Sequence, residues 1–175
     1  MKHYRLPTPI PAGFPGFAFC EPPKSPLTTR VDRSHVVVDL ENLCGGSEAV
    51  DKRASAVRQA LSPVIEGPNT QIVVAVGINA WRKAPMLSFL WPNARFLVGR
   101  GVDGADLRLV EDLVDEPQAV RSSRVVIASG DGRFAEPARA LRDSGVHVVA
   151  VSYPKSLSRR LRASVSEVQF LLPPV

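Results

Sequence analysis

From residue 34 onward, short runs of apolar residues alternate with stretches in which apolar residues recur every three or four positions. Such runs are typical of strands that are buried on both faces of a sheet, and the longer spacing is typical of helices that pack against it. Parallel strands joined by helices form a three-layer α/β/α domain with a mainly parallel central sheet. The pattern predicts a sheet of five or six strands, with apolar runs at 36–38, 72–76, 95–98, 125–128, 146–151 and 168–172.

The helical stretches between these runs have their own start and stop signals. Ser47 is a suitable N-cap for the first helix, which Pro63 and the following Gly-Pro pair should end. Gly145 should stop the helix that precedes the fifth strand. Further helices are predicted at 85–90, 105–114, 134–144 and 157–161.

The first 33 residues differ from the rest of the chain. They contain seven prolines, which disfavour helices and central strands, and more basic than acidic residues. We therefore predict an N-terminal extension over 1–33, either solvated or docked through its phenylalanines, and a folded domain over 34–175.

The composition restricts the class of protein. A hydrophobic content of 45% is enough for the core of one domain. No stretch approaches the roughly 18 apolar residues of a membrane span, and prolines interrupt the N-terminus, so we expect a cytoplasmic protein that does not enter a membrane. Cys20 and Cys44 lack the spacing of a zinc site. A net charge of +5 and a pI near 9.7 favour a polyanionic partner such as RNA.

Acidic residues follow two of the predicted strands at the edge where open parallel sheets usually carry their chemistry. Asp39 follows the strand at 36–38, and Asp131 follows the strand at 125–128 after two residues. A third acidic group, which includes Asp106 and Asp112, lies where another strand leads into a helix. Converging carboxylates repel one another unless a cation screens them, and oxygen ligands suit Mg²⁺ or Mn²⁺.

Each acid also has a purely structural interpretation. Asp39 and Asp131 could complete turns, and Asp106 could stand at a helix N-terminus. Asp103 fits a turn better than a ligand position. Asp112 follows Asp106 by six residues, which is about 120° around an ideal helix, so it could be a fourth ligand or a solvent-facing charge.

Three motifs, in this order, resemble the NYN branch of the PIN-like ribonucleases, with a fold similar to that of bacterial LabA-type proteins. They are VVVDLEN at 36–42, GAD at 104–106 with an aspartate six residues later, and SGDGRF at 129–134 followed by GVHVV at 145–149. The resemblance covers roughly 34–151 and implies hydrolysis of RNA with Mg²⁺ or Mn²⁺ held by carboxylates. The implied catalytic and metal-binding residues are Asp39, Asp106, Asp131 and Asp112, with Asn42 and Ser129 as polar neighbours that orient ligands or substrate.

One position departs from the family pattern. Many relatives have a second aspartate two positions after the one that matches Asp131, where this chain has Arg133. The arginine could weaken metal binding or hold a phosphate. The alternative to a ribonuclease is therefore a catalytically weak RNA-binding or adaptor protein. A phosphotransferase of the haloacid-dehalogenase type is disfavoured, because Glu41 stands where that class requires its second aspartate.

Several basic residues lie close in sequence to the predicted acidic edge and are candidates for substrate contact. They are Arg133, Arg100, Arg82, Arg159 and Arg160. The neighbouring Trp81 could stack on a base or pack in the core. The sequence leaves open whether the protein forms a homodimer.

Overall fold

The computed structural model describes residues 31–67, 69–115 and 117–172 of the 175 residues. Six parallel strands in this part of the chain form one sheet, which confirms the predicted α/β class. The strands are β1 (Val31–Asp39), β2 (Thr70–Gly77), β3 (Ala94–Gly99), β4 (Ser122–Ala128), β5 (His147–Ser152) and β6 (Glu167–Phe170). The predicted N-terminal extension lies outside the described residues, except that β1 already begins at Val31 rather than at residue 34.

Eight helices connect these strands among the described residues. They are α1 (Leu40–Cys44), α2 (Val50–Ile65), α3 (Ile78–Lys83), α4 (Leu87–Leu90), α5 (Gly104–Asp115), α6 (Pro117–Arg121), α7 (Ala135–Asp143) and α8 (Arg159–Ser164). The helices α1, α3 and α6 were not predicted, because five or six residues are too few to establish a helical period. None of the described helices is long and apolar enough to cross a membrane.

The first long helix ends between the two predicted stop signals, Pro63 and the Gly-Pro pair at 67–68. Pro63 lies inside α2, which continues to Ile65. A proline in the last turn removes only one backbone donor, and the amide of Glu66 closes the helix by donating to the carbonyl of Ser62 at 3.0 Å. A 3-10 turn at Ser47–Ala49 precedes the helix, so Ser47 is not its N-cap.

The sheet is buried on both faces by helices. On β1, Val36 and Val38 face the layer formed by α1 to α4, whereas Val37 faces the layer formed by α5 to α8. This two-sided burial explains why the strands appear in the sequence as continuous apolar runs rather than as alternating patterns.

The strand order is β3-β2-β1-β4-β5-β6. The chain therefore builds outward from β1 to β3 and then returns to place β4 on the other side of β1. Such a reversal opens a crevice beyond the carboxyl ends of the two central strands. Because Val38 pairs with Ala128, the loops that begin at Asp39 and Ser129 leave the sheet side by side.

Two glycines allow backbone segments to approach each other closely at this edge. A Cβ atom on Gly99 would overlap the backbone at Gly104, where α5 begins. A Cβ atom on Gly130 would overlap the carbonyl of Ser156 in the loop after β5. Because neither glycine has a side chain, the start of α5 can lie against the end of β3, and the loop after β5 can lie against the loop after β4. These segments include those that carry the acidic residues described next.

Candidate active site

Three of the predicted acids line one open cavity of about 350 Å³ at the crevice between β1 and β4. Asp39 ends β1, Asp106 lies in the first turn of α5, and Asp131 follows β4. The full lining consists of Asp39, Glu41, Asn42, Gly45, Gly46, Asp106 and Asp131. The structure thus brings together side chains from three separate segments of the chain.

Asp39 is the most buried of these acids, with 2% of its surface exposed. Its Oδ1 accepts a hydrogen bond from the amide of Asn42 at 3.1 Å, and its Oδ2 accepts one from the hydroxyl of Ser129 at 2.8 Å. Burial raises the pKa of Asp39 to about 7, the negative charges of Asp106 and Asp131 add to the rise, and the two hydrogen bonds oppose it. A cation at this site would reverse these effects by favouring the charged carboxylate.

Ser129 and Asn42 hold the two central loops together. The Ser129 hydroxyl, besides donating to Asp39, accepts from the amide of Asp131 at 3.1 Å. The side-chain oxygen of Asn42 accepts from the amide of Gly130 at 2.9 Å. Ser129 is buried, so it positions the acids and does not reach a substrate, whereas Asn42 also lines the cavity.

Arg133 is the main cation among the acids. Its Nε lies 3.1 Å from Asp131 Oδ2, its Nη1 3.0 Å from Asp106 Oδ2, and its Nη2 3.3 Å from Asp103 Oδ2. Its backbone amide also donates to Asp131 Oδ1 at 2.9 Å. Partial burial alone would lower the pKa of Arg133, but the hydrogen bond to Asp103 and the charges of the three acids raise it. The guanidinium is therefore held firmly in its charged form.

Asp106 has a raised pKa as well. Burial is the main cause, the charges of Asp131, Asp103 and Glu41 add to it, and Arg133 opposes it. The carboxylates are thus close enough to repel one another even with a guanidinium among them.

The ligand chemistry of this cluster fits a hard divalent cation, because carboxylate oxygens are the donors that Mg²⁺ and Mn²⁺ prefer. The spacing does not yet fit. As the side chains stand, no three His, Cys, Asp or Glu residues in the described ranges are placed to hold one metal ion. The guanidinium of Arg133 bridges Asp106 and Asp131. A metal ion held between these two carboxylates would have to displace it.

The structure does not bring Asp112 to this cluster, and both interpretations offered from the sequence are corrected. Asp112 is only 4% exposed and faces the sheet. Its Oδ2 lies 2.7 Å from Nε2 of His35, and its Oδ1 pairs with Nη2 of Arg95. Six residues of helix separate it from Asp106 by about 9 Å along the axis. The buried carboxylate of Asp112 therefore binds His35 of β1 and Arg95 of β3, and we leave it out of the metal set.

Apart from Arg133, the arginines predicted to contact the substrate are exposed and follow the carboxyl ends of strands. Arg82 lies in the helix that follows β2, and Arg100 follows β3 directly. Arg159 and Arg160 open α8, which passes next to the Asp131 loop: a Cβ atom on Gly132 would lie 3.9 Å from that of Arg160. None of these four side chains lines the cavity.

Trp81, next to Arg82, packs rather than forming an open stacking platform. Its ring centroid lies 4.9 Å from that of Phe96, and the side chain rests partly buried on the core. The structural interpretation of this residue is thereby favoured.

Two further acids belong to the site, of which Glu41 was given no role there from the sequence and Asp103 was predicted only as a turn residue, which it is. Glu41 lines the cavity, and its Oε1 accepts from the amide of Gly77 at the end of β2, at 3.0 Å. Asp103 pairs with Arg133 from a left-handed turn with φ of 57°. The sequence would have indicated this role of Glu41 only if the pairing of β1 with β2 had been known. With that pairing, the first turn after β1, which carries Glu41, lies beside the end of β2.

Comparisons with known proteins agree with this architecture. A family model described as the NYN domain matches residues 33–172. No curated protein matches the chain. Among solved structures, a protein of unknown function from Vibrio parahaemolyticus RIMD 2210633, VPA0982, is similar, with a TM-score of 0.57 and 14% sequence identity over 83% of this chain and 96% of that chain. At that identity the likeness shows the fold alone.

Proposed function

Because the chain belongs to the NYN domain family, we propose that it is a metal-dependent ribonuclease that hydrolyses phosphodiester bonds of RNA. The family lies within the PIN-like nuclease superfamily. The observation that carries the proposal is the convergence of Asp39, Asp106 and Asp131 on one cavity at the crevice between the central strands.

In this proposal the three aspartates hold Mg²⁺ or Mn²⁺. The bound ion would supply positive charge that polarises the phosphodiester and acidifies the attacking water. Asp39 must lose its proton to serve as a ligand, and Ser129 and the amide of Asn42 keep its two oxygens oriented. Asp112 contributes stability at a distance from this chemistry.

Arg133 has two roles in this proposal. Without metal, its guanidinium neutralises the acids that would otherwise repel one another. When a metal ion takes that place, the planar guanidinium is free to face a phosphate of the RNA, with which it can form paired hydrogen bonds. The exposed arginines Arg82, Arg100, Arg159 and Arg160 then hold the backbone on either side.

The test is cleavage of a generic single-stranded RNA with Mg²⁺ or Mn²⁺, with and without a chelator. Asp131→Asn and Asp39→Asn are expected to reduce the rate by at least about 100-fold. Asp51→Asn, an exposed residue on α2, is the matched control and should cleave like the wild type. Equal product from wild type and Asp131→Asn, or cleavage that survives the chelator, would refute the proposal.

The ion pairs of Arg133 also support a second candidate, an RNA-binding or adaptor protein that cuts weakly or not at all. In that case Arg133 neutralises the site permanently and the exposed arginines bind the RNA. Binding should then weaken steeply with salt and fall when Arg159 and Arg160 are both replaced by alanine. If RNA binding depends neither on the salt concentration nor on Arg159 and Arg160, this candidate is excluded.

A further inference from the structure

A second cavity, of about 450 Å³, opens directly beside the acidic one. We call it the side pocket; it lies between α1, the start of α2 and the loop over residues 153–156 after β5. Asn42 and Gly45 line both cavities, so the two are direct neighbours. A ligand in the side pocket would therefore lie next to anything bound at the acids.

The lining of the side pocket combines an apolar wall with two cations. Leu43 and Val57 are buried and form part of the wall. Pro154 and Tyr153 complete it; Tyr153 packs partly against the core, as Trp81 does, but also lines the cavity. Arg53 and Lys155 add positive charge. Because no carboxylate lies among the lining residues, the chemistry favours a ligand that has both an apolar, flat part and an anionic part.

Two details show that Arg53 is built into the pocket. Nη1 of Arg53 donates to the carbonyl of Cys44 at 3.0 Å, which anchors the guanidinium across the end of α1. Gly45 has a φ of 82°, and a Cβ atom there would lie 3.0 Å from Nη1 of Arg53, so the absence of a side chain at this residue leaves room for the guanidinium. The position of Arg53 is thus set by its surroundings.

The pocket is also tied to the loop that carries Asp131. The loop after β5 contacts Gly130 closely, and the amide of Ser158 donates to the carbonyl of Gly130 at 2.8 Å. Residues of this loop form one wall of the side pocket. The spacing between the side pocket and the acids is therefore held by a hydrogen bond and a close backbone contact.

We propose that the side pocket binds one nucleotide of the RNA strand next to the phosphodiester at the acids, with its base against Tyr153 and its phosphate against Arg53 and Lys155. The inference rests on the proposed function, because it takes the strand through the acidic cavity. A volume of about 450 Å³ lies within the usual range for small-molecule pockets of roughly 300–1,000 Å³. Aromatic stacking and basic contacts are the means by which proteins hold single-stranded RNA without reading its sequence.

The experiment measures binding of a fluorescein-labelled, single-stranded RNA oligonucleotide by fluorescence polarisation in EDTA, so that cleavage does not interfere. Tyr153→Ala is expected to weaken binding about tenfold, because stacking on one base is lost. Tyr153→Phe should stay within about twofold of the wild type. Lys155→Ala should weaken binding several-fold, and its matched control Lys52→Ala, an exposed lysine of α2 outside the pocket, should have less effect.

The outcomes separate the side pocket from the proposed ribonuclease. If Tyr153→Ala and Lys155→Ala bind RNA no worse than Lys52→Ala, the side-pocket proposal is overturned, even if the wild type cleaves RNA. If both variants weaken RNA binding while the wild type shows no metal-dependent cleavage, the side-pocket proposal is supported and the ribonuclease proposal is refuted. A nucleoside monophosphate that binds the wild type but not Tyr153→Ala, with RNA binding unchanged, would overturn the assignment to RNA in favour of a free nucleotide.

Discussion

Replacing Arg133 with methionine removes the guanidinium and keeps most of the length of the side chain. The structure gives this guanidinium three carboxylate partners at 3.0–3.3 Å, with 34% of the side chain exposed. A divalent ion bound by the same acids would have to repel or displace it. Arg133→Met should therefore bind Mn²⁺ more tightly than the wild type.

The size of the effect follows from Coulomb's law. Two unit charges about 4 Å apart interact by about 1 kcal/mol in water and by more in a partly buried site. A divalent ion doubles this, so repulsion by Arg133 costs at least about 2 kcal/mol, which is about 30-fold in affinity. The loss of three ion pairs, each worth up to about 1 kcal/mol near the surface, should at the same time lower the stability of the metal-free protein.

Titration calorimetry with Mn²⁺ and thermal melts with and without the ion measure both effects. Arg133→Met should gain affinity and lose metal-free stability, and Arg133→Asp, which supplies the acid that many relatives carry, should bind more tightly still. Arg139→Met, an exposed arginine of α7, is the matched control and should behave like the wild type. If Arg133→Met binds Mn²⁺ no more tightly than this control, the guanidinium does not compete with metal.

Three further perturbations test the roles assigned to individual residues. Because the pKa of Asp39 is raised from 3.8 to about 7, the folded protein retains a proton that the unfolded chain releases, and its stability should fall by up to about 4 kcal/mol between pH 4 and pH 7. Thermal melts in EDTA should show this fall in the wild type and much less of it in Asp39→Asn; equal pH slopes would contradict the shift. Asp112→Ala should destabilise the fold by about 3 kcal/mol in a urea titration and leave Mn²⁺ affinity unchanged. Glu111→Ala, at the exposed neighbouring residue, should change neither the stability nor the affinity. A loss of affinity without a loss of stability would restore Asp112 to the metal set. Gly99→Ala should lower both the melting temperature and the Mn²⁺ affinity, because its Cβ atom would push the start of α5 away. Gly67→Ala, where the added Cβ atom meets only a side chain, is the mild control. If Gly99→Ala melts and binds Mn²⁺ like this control, the close approach of Gly99 to Gly104 is unimportant.

The fold class could be predicted because a sheet covered on both faces appears in the sequence as a series of apolar runs. The six runs correspond to the six strands of the structure. The strand order could not be predicted, since periodicity shows which residues are buried but not which strands are neighbours. That order places the loop of Asp39 beside the loop of Ser129 and the first turn of α1 beside the end of β2.

The candidate site shows the same division. Asp39, Asp106 and Asp131 could be selected from the sequence because strand ends and a helix start are visible there, and the structure places all three in one cavity. The partners of Asp112 could not be found, since His35 and Arg95 come from two strands whose places depend on the whole sheet. The angle around the helix indicated the direction in which the Asp112 side chain points, but not which residues it contacts.

The three ion pairs of Arg133 were beyond sequence reasoning for a related reason. They involve acids from two separate segments, one around the start of α5 and one after β4. The left-handed turn at Asp103 has no signal in the residue type beyond the tolerance of aspartate for it. The motif indicated that an expected acid was missing. It did not indicate that the replacement would bind the acids that remain.

The hydrogen bond between Asp39 and Ser129 joins residues that are 90 positions apart. During synthesis at about 5–20 residues per second, roughly 5–18 s therefore pass between the addition of Asp39 and the addition of Ser129. Asp131 is added later still, so the acid cluster cannot assemble on an early nascent chain. The chain therefore contains all three acids of the cluster only after β4 and the residues that follow it have been synthesised, and a product that terminates before β4 contains neither Ser129 nor Asp131.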